Sequence, residues 1–67
     1  MSMDDFTIKV LKVIKKRGPS SCKEIANDIG VSAQKVAAKM RYIVKLDLVE
    51  KKNGKYELSK AGESAVE

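Results

Sequence analysis

Between residues 21 and 46 the chain is punctuated in a way that leaves little choice of architecture. Ser21-Cys22-Lys23-Glu24 has the form of a capping box, with serine at the N-cap and glutamate at N3, and it predicts a short helix of about Cys22–Ile29. That helix turns Ile25, Ala26 and Ile29 inward. Gly30 then stands where a helix closes through a left-handed residue. Val31 is an apolar link, and Ser32 can cap a new helix at once. In the stretch that follows, Val36, Met40 and Ile43 recur at i, i+4 and i+7, so they share one face of a helix running to about Leu46. The pattern is helix, three-residue turn, helix. Ala26 fits it, because a small side chain at that point lets the later helix cross closely over the earlier one.

The rest of the chain frames this unit. Residues 3–17 read as a first helix with Phe6, Val10, Val13 and Ile14 on one face. Asp4 and Asp5 at its start and Lys15, Lys16 and Arg17 at its end complement the macrodipole. Gly18-Pro19 stops it. After Leu46-Asp47 the period changes from helical to alternating. Leu48–Lys52 and Lys55–Ser59 are short strand candidates, joined by Asn53-Gly54, a strong hairpin signal. The tail from Ser59 to Glu67 has a cap for a last short helix, against which Gly62 counts. The apolar stripe of the first helix is wide and continues through Leu11 to Ile8. Either the tail covers it through Ala61, Ala65 and Val66, or a second subunit does.

Composition narrows the function. The chain has 67 residues and a net charge of +5, concentrated as +3 over residues 1–17 and +4 over residues 32–46. From Lys35 to Lys45 there are four cations, Lys35, Lys39, Arg41 and Lys45, and no acid. The outer face of that helix holds Gln34, Ala38, Arg41 and Lys45. A helix apolar on one side and cationic with small residues on the other suits the major groove of a duplex. This uneven excess favours a polyanionic partner. Histidine is absent, so no Ser-His or Cys-His pair can be built, and the chain is read as a non-enzyme. Cys22 is the single cysteine and cannot close a zinc site or an internal disulfide. No cofactor is expected. No apolar run approaches the ~20 residues of a membrane span, and the start, Met-Ser-Met-Asp-Asp, is acidic where a secretory signal would be basic. The expectation is one domain, residues 1–67, in the cytoplasm.

Taken in order, Glu24-Ile25-Ala26, Ile29-Gly30-Val31-Ser32, Val36 with Met40 and Ile43, Leu48-Val49-Glu50, the hairpin lysines and Leu58-Ser59-Lys60-Ala61-Gly62 resemble the winged helix-turn-helix superfamily. The likeness is to small ArsR-like and MarR-like transcriptional regulators of bacteria and archaea. It implies a mainly α (α+β) fold of three helices with a C-terminal two-stranded hairpin wing. It also implies binding of double-stranded DNA, with the third helix in the major groove and the 50–57 hairpin as the wing. By position the contacts implied are Ser32, Gln34, Lys35, Ala38, Lys39 and Arg41 on the helix, and Lys51, Lys52 and Lys55 on the wing. The resemblance further implies a homodimer through Ile8 and Leu11 of the first helix.

Two features depart from the pattern. Asp47 stands where the family often has glycine after the third helix, which puts the sharpness of that turn in question. Ala33, Ala37 and Ala38 occupy reading positions without a hydrogen-bonding group, leaving Gln34, Lys35 and Arg41 to meet base edges. The alternative is a winged-helix protein-interaction module or an RNA-binding subunit of a larger complex. In such cases the third helix commonly loses its cations or the wing its lysines; both persist here.

Overall fold

Side-chain caps start every helix. In the computed structural model, which describes residues 3–67, α1 spans Asp5–Arg17, α2 Cys22–Ile29, α3 Ala33–Lys45 and α4 Lys60–Ala65. Strands β1 (Val49–Lys52) and β2 (Lys55–Leu58) lie between α3 and α4. Each helix opens on an oxygen that accepts the N–H of the third helical residue: Asp4 from Thr7, Ser21 from Glu24, Ser32 from Lys35 and Ser59 from Gly62. The capping box is closed both ways, the Ser21 N–H donating to Glu24 Oε1 at 2.9 Å and the Glu24 N–H to Ser21 Oγ at 3.1 Å. α1 starts at Asp5 and not at residue 3, because Asp4 is its cap. The mainly α (α+β) expectation holds, with the tail helix a fourth element.

The helix ends are equally local. Gly30 adopts φ 85°, ψ 38°, and the N–H groups of Gly30 and Val31 both donate to the Ala26 carbonyl, at 2.8 and 3.1 Å. Val31 and Val36, flanking the Ser32 cap, both join the core, as in a hydrophobic staple. At the end of α3, Asp47 takes φ 58°. Its N–H donates to the Val44 carbonyl at 3.0 Å, and that of Leu48 to the Ile43 carbonyl at 3.3 Å. This is a complete Schellman turn built on aspartate, which tolerates the left-handed region. The missing glycine therefore does not blunt the turn.

The hairpin pairs Val49 with Leu58 through Lys52 with Lys55, so its loop is Asn53-Gly54, with φ 52° and 77°. A connection that no local sequence signal announces ties it to the body. Ser20, fully buried in the α1–α2 link, exchanges two backbone hydrogen bonds with Tyr56, at 2.9 and 2.8 Å. That link acts as a one-residue third strand beside β2.

The core is one cluster: Val10, Leu11 and Ile14 of α1, Ile25 and Ala26 of α2, Val36, Met40 and Ile43 of α3, then Leu48 and Val49. Leu11 is fully buried inside it, so the expectation that Leu11 serves a subunit interface is corrected. Ile8 stays half-buried. Of the tail residues expected to cover α1, only Val66 packs against the core, and Lys15 Nζ donates to its carbonyl at 3.4 Å; Ala61 and Ala65 are exposed. Gly62, which counts against a helix in isolation, is what lets α4 dock. A Cβ there would fall on the Leu48 carbonyl and lie 3.3 Å from Leu58 Cδ2. Gly62→Ala should therefore destabilise the fold by about 1–3 kcal/mol, as overpacking does, although alanine favours helices. A lowered urea midpoint at unchanged slope would show it; a midpoint at or above wild type would refute the close approach.

Candidate nucleic-acid interface

The rotation of α3 is set by its buried edge. Val36, Met40 and Ile43 have no exposed surface at all. At 100° per residue, Gln34, Ala38, Arg41 and Lys45 fall within about 60° of arc on the far side. All four are exposed. The outer stripe is thus a neutral polar group, a methyl and two cations. Lys45 is on it yet outside the contact set implied by the resemblance; its i+4 spacing from Arg41 is the sequence signal that places it there. Ser32 and Ala33 are also exposed at the start of α3, whereas Ala37 is half-buried.

Lys35 and Lys39 lie on the flank that faces the start of α1. Lys35 Nζ stands 5.4 Å from the centroid of the Phe6 ring. Lys39 Nζ donates to Asp4 Oδ2 at 2.8 Å and sits 5.4 Å from the Tyr42 ring. With Ala38 these residues line a shallow groove between the two helices. The structure therefore sorts the cations of α3 into two classes. Arg41 and Lys45 point outward with no acidic partner among the described residues, and Lys39 is committed to the cap of α1.

The wing is sorted in the same way. Lys52 Nζ pairs with Glu57 Oε1 at 3.1 Å, which raises the Lys52 pKa above its ordinary value. Lys51 Nζ lies 5.6 Å from the Tyr56 ring, and Lys55 is exposed at the turn. Elsewhere Arg17 bridges Glu24 and Asp28 of α2 at 3.4 and 3.2 Å, fastening the end of α1 to α2. Such exposed pairs add little stability singly, but they decide which cations keep an unneutralised charge. Cys22 is half-buried.

Asp4 is held by two donors, the Thr7 N–H at 2.7 Å and Lys39 Nζ at 2.8 Å. The hydrogen bond from Lys39 Nζ, followed by that from the Thr7 N–H, holds its carboxyl well below the usual range. Folding thus favours the charged form. The stability this contributes is present above the ordinary aspartate value of 3.8 and is lost as pH falls below it.

A family model for winged helix-turn-helix DNA-binding proteins matches residues 3–41. The crystal structure of IdeR from T. acidophilum superposes with a TM-score of 0.80 at 22% sequence identity, covering 98% of this chain and 32% of that one. The chain therefore spans about a third of that protein's length. No curated protein matches. No helix among the described residues is long and apolar enough to cross a membrane.

The Asp4–Lys39 contact yields a prediction. Between about pH 6 and about pH 3 the wild type should lose more stability, read as its urea midpoint, than Lys39→Met, because the variant keeps the Thr7 cap but loses the larger cause of the depressed Asp4 pKa. Parallel losses in the two proteins would show that the ion pair does not bias Asp4.

Proposed function

The chain belongs to the winged helix-turn-helix DNA-binding family, and on that premise we propose that it serves as the duplex-binding unit of a cytoplasmic transcriptional regulator. In this reading residues 3–67 act as one domain. α3 enters the major groove, and the hairpin rides on the phosphate backbone. The observation that carries the reading is the outer stripe of α3. It is exposed along its length, cationic, without an acidic side chain, and held at a fixed rotation by a fully buried opposite edge.

Within that stripe the roles differ by chemistry. Gln34 and Arg41 have the donors and acceptors to meet base edges, and Ala38 offers a methyl and close approach. Lys45, Lys35, Lys51 and Lys55 supply charge for phosphates, and the exposed N-terminus of α3 at Ser32 adds backbone N–H groups. Lys39 and Lys52 contribute least, since each would have to leave a carboxylate partner. A dimer across α1 is left with Ile8 as its apolar contact, and Ile8→Glu should fold normally while abolishing any self-association seen by sedimentation.

An electrophoretic shift titration tests the reading. With about four phosphates neutralised, log K should fall against log salt with a slope near −3 to −4. Arg41→Glu with Lys45→Glu should weaken binding at least about tenfold and flatten the slope by about 1 for the lost Lys45 contact, with circular dichroism unchanged. Alanine at Lys51, Lys52 and Lys55 should lower affinity about equally on all sequences. Gln34→Ala should instead flatten whatever motif emerges from a randomised duplex pool. Binding that ignores salt, or that prefers single-stranded RNA or a protein to duplex DNA, would overturn the proposal.

A further inference from the structure

The solvent face of α1 carries a second cationic stripe, which duplex binding through α3 and the wing leaves unused. Lys9, Lys12 and Lys16 follow one another at i, i+3 and i+7, opposite the buried Val10, Leu11 and Ile14. All three are exposed, and none has an acidic partner among the described ion pairs. Two acids lie near. Asp5 is one turn before Lys9 on the same stripe. Asp28 lines a groove with Lys9, Lys12, Val13 and Ile29, but its carboxylate is held by Arg17 at 3.2 Å.

The fold has no need of this arrangement. Lysines three and four apart on one helix face repel each other. Lys16 sits in the last turn, where a cation suits the macrodipole, but Lys9 and Lys12 are mid-helix, beyond the reach of that effect. Asp5 offsets Lys9, but Lys12 and Lys16 face each other uncompensated at i, i+4, so that part of the stripe is unfavourable without a ligand and becomes favourable against a polyanion. It covers about 10 Å of helix rise, and duplex DNA presents one phosphate charge per ~1.7 Å of axis. Three lysines at that spacing match a backbone, not a single small anion.

Direction decides what the stripe is for. α1 and α3 bury their apolar edges in the same cluster from two sides, so each turns its outer stripe away from that shared core. The molecule measures only 25 × 25 × 21 Å. A duplex seated on α3 leaves the outer face of α1 open to another one. We propose that the Lys9-Lys12-Lys16 face of α1 binds the phosphate backbone of a second double-stranded DNA segment, so that one molecule bridges two duplexes. This rests on the reading of α3 as the first duplex site.

The test immobilises one duplex and measures retention of a second, labelled duplex at low salt, alongside single-duplex affinity. Wild-type protein should retain the labelled duplex. Glutamine at Lys9, Lys12 and Lys16 should cut retention at least tenfold while changing single-duplex affinity less than about threefold. Arg41→Glu with Lys45→Glu should lower both. Wild-type binding without retention, or undiminished retention by the glutamine variant, overturns the second site. If instead the α3 variant binds one duplex as wild type does and the glutamine variant does not, the reading of α3 fails, and bridging through two faces fails with it.

Discussion

Burial of one edge of α3 governs most of what this small protein can present. A chain of 67 residues has room for a single layer of core, and its largest contributors from α3 are Val36, Met40 and Ile43. Once these have no exposed surface, the helix cannot rotate without a cost of the order of 1.5–3 kcal/mol for each large side chain uncovered. Its outward residues are then dictated by the 100° step of the helix. The corner before it and the Schellman turn after it act in series with that burial. Gly30 and Val31 set where α3 begins, and Asp47 sets where it stops so that Leu48 and Val49 return to the core.

The same packing sorts charge. The cations of α3 are equivalent as letters, but the flank of the helix that faces α1 meets Asp4 and Phe6, while the outer stripe meets solvent. Asp4 does two jobs at once. It caps α1 through the Thr7 N–H at 2.7 Å and holds Lys39 at 2.8 Å, so the start of one helix is pinned to the middle of another. Arg17 does the equivalent between the end of α1 and α2. Ion pairs of this kind are weak as stabilisers. Their larger effect is to leave Arg41, Lys45, Lys51 and Lys55, together with the α1 lysines, as the charges a polyanion meets first.

Local signals made the framework legible in the sequence. The capping box at Ser21, the left-handed residue at Gly30, the cap at Ser32 and the Asn53-Gly54 turn each act within about four residues. α2 therefore falls at Cys22–Ile29 and the hairpin loop at Asn53-Gly54, as expected. What escaped the sequence depends on contacts far apart along it. Lys39 finds Asp4 across a separation of 35 residues, and Ser20 finds Tyr56 across the body of the fold. No periodicity encodes either. Gly62 defies its local signal for the same reason: its helix propensity is poor, but the missing Cβ is demanded by the backbone of Leu48. The burial of Leu11 cannot be read from α1 alone, because it depends on the cover supplied by α2, β2 and the tail. The candidate site divides along the same line. The outer stripe of Gln34, Ala38 and Arg41 followed from the helical period, whereas the withdrawal of Lys39 and Lys52 into ion pairs did not.

The outer stripe also limits how sharply a sequence can be read. A bidentate match to a base edge contributes about 1–3 kcal/mol of discrimination, and only Gln34 and Arg41 on the stripe combine exposure with directional donors. Two such matches supply about 2–6 kcal/mol by that scale, toward the low end of the ~4–10 kcal/mol that separates specific from non-specific binding. Ala38, between them, would let the helix approach the groove floor while adding at most a methyl contact. A surface built this way draws its affinity chiefly from charge, which is indifferent to sequence, and any sharper preference has to come from the shape of the duplex or from a second bound unit. In the proposed complex, the geometry that exposes Arg41 and Lys45 would therefore make attraction to the phosphate backbone outweigh base readout.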